Sequence, residues 1–336
     1  MGRGRYNRRV PRKKRLFTGF QPTGELHIGN YLGAIANAVR LTRDYEAIFS
    51  VVDYHAITVE YDPAQMRDRV FKAAAMLMAS GLTPDRCTLF VQSAVPEHTE
   101  LAWILSTVTG MGELERMTQY KDKSKDNTDN INAGLFTYPV LQAADILLYK
   151  AEAVPVGDDQ AQHLELSREI VRRFNRHYGN VFPEPATLLT EVPRVLGLDG
   201  KRKMSKSLGN YVGLSEKPEE TWKKLSTAVT DENRKRRTDP GNPDVCNIFT
   251  LHRFFTGEAD RRKIDADCRT AAIGCIDCKK TLAAGIEREI GPVRARYEEY
   301  LAAPGTVWQN LETGAARCRA IARGTMTEVR KALGLP

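Results

Sequence analysis

No run in this 336-residue chain approaches the ~18 uncharged apolar residues that a membrane-spanning helix needs. No segment near the start pairs a charged stretch with an apolar one, so no secretory signal is expected. Internal repeats are absent, and so is low-complexity sequence outside the first fifteen residues. Residues 1–15 contain no acid at all. With 42% hydrophobic and 27% charged residues, the composition excludes a wholly disordered or collagen-like chain. The length suits two domains rather than one.

The net charge is +8, and the segment MGRGRYNRRVPRKKR accounts for all of it. It holds eight basic residues, and the rest of the chain balances 42 basic against 42 acidic. Eight like charges with little to bury predict a mobile arm over 1–15. Two readings stand: a tail that seeks a polyanion such as nucleic acid, or a solubilising tail. The arm lacks the Ser content and amphipathic face of a transit peptide.

Four of the six cysteines form C-x21-C-x6-C-x2-C: Cys246, Cys268, Cys275 and Cys278. Without a secretory signal, a disulfide framework is not expected. The C-x2-C end can bring two thiolates onto one zinc ion or one iron–sulfur cluster. The alternative is that these are plain small hydrophobes.

Past the arm, strand and helix alternate. The pattern predicts a strand at Leu16–Gly19, a helix from His27 to about Thr42 and a strand at Ala47–Val52. A helix from Pro63 to Ala79 follows, then a strand at Thr88–Gln92 and a helix over Glu97–Val108. This is the rhythm of an α/β, doubly wound parallel sheet, whose ligands lie at the C-terminal strand ends. From about 110 to 150 the rhythm breaks into a Lys-rich stretch and an apolar helix, Pro139–Tyr149, read as an insertion. It resumes with a strand at Ala153–Gly157 and a helix over Asp159–Asn175. Val192–Asn210 reads as a basic loop, and after about Gly213 only helical patterns follow. The domains expected are therefore 16–212, with the insertion, and an all-helical 213–336.

Two motifs carry chemistry. The first runs from Gln21 to Asn30, QPTGELHIGN, where a strand feeds a Gly turn and a helix N-terminus. Free backbone N–H groups and the helix dipole favour an anion there. Gly29 lets a nucleoside approach closely, and His27 and Asn30 add donors for phosphate. Alone, the four letters HIGN also fit an ordinary helix start. The second is Lys203-Met204-Ser205-Lys206-Ser207, with Lys201 and Arg202 before it. Its cations can wrap a triphosphate and grip harder as charge builds on a pyrophosphate leaving group. Alone, it also fits a solvated basic loop.

In this order and about 175 residues apart, the two motifs resemble the signatures of class I aminoacyl-tRNA synthetases. The blocks FTGFQPTGELHIGNYLGA, VDYHAITV, GELERMTQYKDKS, YPVLQAADILLY and PVGDDQAQHLELSREIVRRFN resemble the bacterial tryptophanyl family. The resemblance runs from Leu16 to the C-terminus and is strongest up to Asn210. It implies a Rossmann-like catalytic domain and a helical domain that reads the tRNA anticodon. It also implies activation of L-tryptophan by ATP, transfer to tRNA(Trp), a cytoplasmic homodimer, no membrane partner, and Mg2+ on the ATP oxygens with few protein ligands.

The resemblance assigns ATP binding to Gln21, Pro22, Thr23, Gly29, Asn30, Gly157, Asp158, Asp159, Val195, Lys203, Met204, Ser205, Lys206 and Ser207. His27, Lys123, Lys203 and Lys206 would serve catalysis. Phe17, Gly19, His55, Tyr138, Gln142, Asp145 and Gln160 would line the tryptophan pocket. Gln142 departs from some relatives, which carry Met there. Asp145 would accept the indole N–H, a group that only donates, and would be left mispaired by Tyr or Phe. The other reading is an acid merely satisfied by neighbours. Some bacterial members carry a [4Fe-4S] cluster on C-x22-C-x6-C-x2-C, so Cys246, Cys268, Cys275 and Cys278 would hold one here, iron–sulfur ahead of zinc. Arg234–Arg237 would meet tRNA phosphates or remain a solvated loop.

Two rivals remain at this stage. A tyrosyl enzyme or other adenylyl transferase would differ in the amino acid that drives pyrophosphate exchange. A non-charging paralogue would have no need of both motif lysines, which are intact here.

Overall fold

A computed structural model describes residues 12–22, 24–118, 132–157, 160–189 and 195–336. Thr23, Lys123, Asp158, Asp159 and residues 1–11 of the basic arm lie outside the described residues.

The centre is a parallel sheet of five strands, β1 Arg15–Phe20, β2 Glu46–Val51, β3 Thr88–Val91, β4 Ala153–Val156 and β5 Ala186–Leu189. Their order is β3-β2-β1-β4-β5. β1 pairs with β2 from Arg15↔Glu46 to Phe20↔Val51, and Leu16 pairs with Ala153 of β4. Alternate side chains feed two cores: Leu16, Ala47, Phe49 and Leu89 enter one, Phe17, Ile48, Phe90 and Val154 the other. Strand order reverses between β1 and β4, and the crevice at such a point is where open α/β sheets take ligands.

β5 is absent from the expectations above. Four residues between Pro185 and a basic stretch carry too short a pattern to read as a strand. The helix after the first motif, α1, also differs from a plain helix. An α turn Ile28–Asn30 passes into a π-helical turn Tyr31–Ile35 and back to α at Ala36–Leu41. α2, Pro63–Ala79, and α3, Glu97–Ser106, are close to the expected spans. Helix α4 starts six residues before Pro139, at Ala133–Leu148. Asn132 caps it, its Oδ1 accepting from Leu135 N at 2.9 Å, so the proline sits inside the helix instead of opening it. α5 spans Ala161–Tyr178.

The arm ends earlier than its charge implies. Residues 12–15 are anchored rather than mobile: Arg12 pairs with Glu152 at 2.8 Å, and Lys13 Nζ donates to Arg43 O. Arg15 opens β1, pairs with Glu46 and donates to Tyr149 O. Charge repulsion is outweighed where Glu46, at the start of β2, and Glu152, just before β4, meet these cations.

The C-terminal helices are α6 Pro218–Thr227, α7 Asn247–Phe255, α8 Glu258–Arg269, α9 Cys275–Ala302 and α10 Pro304–Leu333. They share both cores with the sheet. Val307 and Leu311 of α10 join one core, Ala315, Cys318, Ala322 and Met326 the other. The crossing point is Gly314, where an added Cβ would lie 2.0 Å from Leu89 O. Only glycine lets the helix backbone close on β3, and so cover an edge strand that would otherwise be open. No helix among the described residues is long and apolar enough to cross a membrane.

Candidate active site

A cleft of about 440 Å3 opens at the C-terminal ends of β1 and β4. All seven residues assigned to the amino-acid pocket line it: Phe17, Gly19, His55, Tyr138, Gln142, Asp145 and Gln160. So do Gln21 and Gly157 from the nucleotide set, and Ala34 from the π turn. Two strand ends and one face of α4 therefore meet where the strand order reverses.

Asp145 is 1% exposed. Its Oδ2 accepts from His55 Nε2 at 2.8 Å. Its Oδ1 accepts from Gln92 Nε2 at 2.8 Å and His98 Nδ1 at 2.6 Å. Burial pushes the carboxyl pKa up, but His98 and His55 outweigh it and hold the group at about 2. It is a carboxylate at neutral pH, and neighbours do satisfy it, although it still lines the cleft. Sequence reasoning missed Gln92, His98 and Tyr149. The available signal was Gln92 at the C-terminal end of a parallel strand, where ligand-facing polar groups gather. Tyr138 donates or accepts at His163 Nε2, 2.8 Å away, and burial raises its phenol to about 12. Gln142 Nε2 donates to Gln160 Oε1 at 3.4 Å.

At the first motif, His27 is the N-cap of α1. Its Nδ1 accepts from Asn30 N at 3.3 Å, and Asn30 Oδ1 accepts from His27 N at 3.0 Å. Burial and the nearby Lys203 push His27 down to about 4, so the ring is neutral at pH 7. With Nδ1 accepting, the proton sits on Nε2, which makes His27 a neutral donor. Asn30 spends its carbonyl on the cap. Pro22 is buried and Gln21 exposed.

The second motif forms a hairpin, with Leu196 bridged to Lys203. Asn210 holds it: its Oδ1 accepts from Ser205 N at 2.8 Å, and its Nδ2 donates to Asp199 at 2.9 Å. Asp199 sits well below the usual carboxylate range, because Lys201 N, Asn210 and Arg202 N all donate to it. Val195 and Met204 are buried, joined by Met204 N to Val195 O at 3.1 Å. Ser205 and Ser207 share a hydroxyl contact at 2.9 Å. Lys203 and Lys206 are exposed and pair with no carboxylate among the described residues.

The two motifs touch. An added Cβ at Gly29 would lie 3.4 Å from Met204 Cβ, and one at Gly24 would lie 3.3 Å from Lys206 Nζ. His27 bridges Gly213, and Ile28 N donates to Val212 O at 2.9 Å. Glu25 accepts from Ser215 Oγ at 2.8 Å and Tyr211 OH at 3.1 Å. Two cations thus stand over an anion-favouring helix start, beside a cleft with one buried carboxylate.

The four cysteines line a second, small cavity with Arg234. None is in a disulfide. Burial raises the Cys246, Cys268 and Cys278 thiols, the last to about 12. Arg234 Nη1 lies 3.8 Å from Cys268 Sγ, while its buried Nε has no acceptor among the described residues. His252 Nε2 is 3.3 Å from Cys278 Sγ. No three His, Cys, Asp or Glu among the described residues are grouped to hold a single metal ion. Four thiols around one cavity with an unspent cationic N–H fit a larger anionic group, a cubane cluster, better than one zinc ion.

This fold and site define a class of α/β protein in which two exposed lysines stand over a helix start beside a cleft at the switch in strand order. Comparison with known proteins narrows the class. The family described as tRNA synthetases class I (W and Y) matches residues 10–290. A tryptophan–tRNA ligase of Deinococcus radiodurans is 48% identical over 325 residues, 95% of this chain and 98% of the relative. One from Thermotoga maritima is 42% identical over 326 residues, 96% and 99% of the two chains. A crystal structure of tryptophanyl-tRNA synthetase from Campylobacter jejuni, complexed with ADP and tryptophan, superposes with a TM-score of 0.88 at 36% identity, covering 96% of this chain and all of that one. The chain belongs to the class I tRNA synthetases, in the bacterial tryptophanyl branch.

Proposed function

We propose that the chain activates L-tryptophan with ATP and transfers it to tRNA(Trp). The observation that carries this reading is the single cleft in which Asp145, Gln21 and Gly157 meet. It seats an amino acid against the strand ends that take a nucleotide.

In the first step a tryptophan carboxylate oxygen bonds to the α-phosphorus, the bond to the β-phosphate oxygen breaks, and pyrophosphate leaves. In the second, a terminal ribose hydroxyl of the tRNA attacks the acyl carbon and AMP leaves. Neither step needs a covalent enzyme nucleophile, so alignment and charge stabilisation remain the protein's task. Gln21, Pro22, Thr23, Gly29, Asn30, Gly157, Asp158, Asp159 and Val195 hold ATP. His27 donates a neutral hydrogen bond to its phosphates. Lys203 and Lys206, with Lys123, stabilise charge growing on pyrophosphate. Met204 anchors the hairpin in the core while the lysines stay outside it. Mg2+ travels with ATP on its phosphate oxygens. Asp145 accepts the indole N–H inside the pocket of Phe17, Gly19, His55, Tyr138, Gln142 and Gln160.

Cys246, Cys268, Cys275 and Cys278 would hold a [4Fe-4S] cluster that would supply cross-linking and charge in the helical region, where Asn247, next to Cys246, donates to Gly197 O at the hairpin's base. Arg234 offsets its negative charge. Iron and sulfide analysis of anaerobically purified protein tests this: about four irons per chain are expected, and neither iron nor zinc would return the thiols to a packing role. A cytoplasmic homodimer completes the reading, with the exposed Trp103 and Met111 as the apolar surface a second copy would cover. Pyrophosphate exchange driven by each amino acid in turn tests the activity itself.

A further inference from the structure

The buried hydrogen bonds around Asp145 leave it a single acceptor direction. Oδ1 takes two donors, Gln92 Nε2 and His98 Nδ1. Oδ2 takes one, His55 Nε2. A carboxylate oxygen has two lone-pair directions, so among the described residues only Oδ2 keeps one, on the atom that His55 also holds. The donors are themselves fixed. Gln92 Oε1 accepts from Tyr54 N at 3.1 Å, which sets the amide's orientation and points its NH2 at Asp145. His98 is fully buried, and its Nδ1 must carry a proton because a carboxylate only accepts. Its Nε2 faces Tyr149 OH at 2.7 Å, and the ring packs against both Phe90 and Tyr149, which also touch each other. Tyr149 is also fully buried.

We infer that His98, held by Tyr149, is a positioning residue for tryptophan selectivity: it occupies Asp145 Oδ1 so that the one remaining lone pair, on Oδ2, meets the indole N–H. This rests on Asp145 being the indole acceptor. Without the His98 donor, Oδ1 regains a lone pair, the carboxylate turns, and the pocket loses its single preferred direction. His98 touches neither substrate nor ATP and acts only through Asp145.

The test compares kcat/KM in pyrophosphate exchange for tryptophan with that for its isostere carrying sulfur in place of the indole N–H. Asp145→Asn is measured first, and a ratio unchanged from wild type would overturn both the acceptor reading and this inference. His98→Leu should lower the tryptophan-to-isostere ratio by about tenfold or more, mainly through KM for tryptophan, with KM for ATP within about twofold. His98→Asn places an amide N–H near the lost Nδ1 and should keep the ratio within about threefold. If His98→Leu does not fold, Tyr149→Phe carries the test, since it frees the ring and keeps its bulk. An equal loss on both substrates, or an unchanged ratio, in a folded His98→Leu or Tyr149→Phe protein overturns the inference while leaving the Asp145 reading intact.

Discussion

At the scale of single residues, the site is decided by which polar groups are already satisfied. Asp145→Ala removes a buried acceptor and strands His55, Gln92 and His98 together. It should cost about 2–4 kcal/mol of transition-state binding for tryptophan, measured as kcat/KM, while ATP binding stays level. A loss under twofold would remove Asp145 from specificity. His27 gives a pH signature. Its pKa falls from 6.5 in the unfolded chain to about 4, from burial and Lys203. Between those values the unfolded chain binds more protons, so stability from this group is full above 6.5, declines as pH falls towards 4, and changes no further below. The size is at most on the order of 3 kcal/mol, since solvent screens part of it. His27→Asn keeps a capping acceptor but cannot titrate. Its unfolding free energy should therefore lose part of the wild-type slope between pH 6.5 and 4, and an unchanged slope would place the titrating group elsewhere. The motif residues were legible in the sequence because their chemistry is local: a strand, a turn and a helix start. His98 and Tyr149 were not, because their link to Asp145 exists only once α3 and α4 pack face to face.

At the scale of elements, the proposed chemistry rests on the lysine hairpin. Lys206, paired with no carboxylate among the described residues, stands over the Gly24 turn, while Asn210 and the Glu25 contacts hold the hairpin's base. If its charge acts mainly as pyrophosphate separates, Lys206→Ala should lower kcat and move KM for ATP less. A change confined to KM would mean that it grips ATP before reaction only. The helix that closes β3 gives a second test. Gly314→Ala forces a methyl into the Leu89 carbonyl and should destabilise the protein by about 2–3 kcal/mol in denaturant titration. A change within about 0.5 kcal/mol, the ordinary range of surface substitutions, would mean that α10 shifts freely along the edge. Strong periodicity made β1 to β3, α2 and α3 readable. β5 was too short, and α4 was misplaced because Pro139 reads as a helix start until Asn132 is seen to cap the turns before it.

For the whole molecule, charge and core divide the chain differently. The basic arm explains the +8 excess, yet Arg12 and Arg15 belong to the sheet's lower rim. Deleting residues 1–11, which carry Arg3, Arg5, Arg8 and Arg9, should leave thermal stability and pyrophosphate exchange unchanged. The salt dependence of tRNA binding should flatten by roughly 0.7–0.9 log–log unit for each phosphate that the arm neutralises. Equal slopes would mean that the arm never meets tRNA. Deleting residues 1–15 should also lower stability, since it takes Arg15 from β1. The shared cores were not legible, because helical periodicity after residue 213 says which faces are apolar and not what they cover. The central claim is that this cleft activates tryptophan, and pyrophosphate exchange across the amino acids tests it most directly. Tryptophan should drive ATP–pyrophosphate exchange far faster than tyrosine or phenylalanine, and Asp145→Ala should erase most of that advantage. Exchange driven equally by tyrosine, or by no amino acid, would contradict the account.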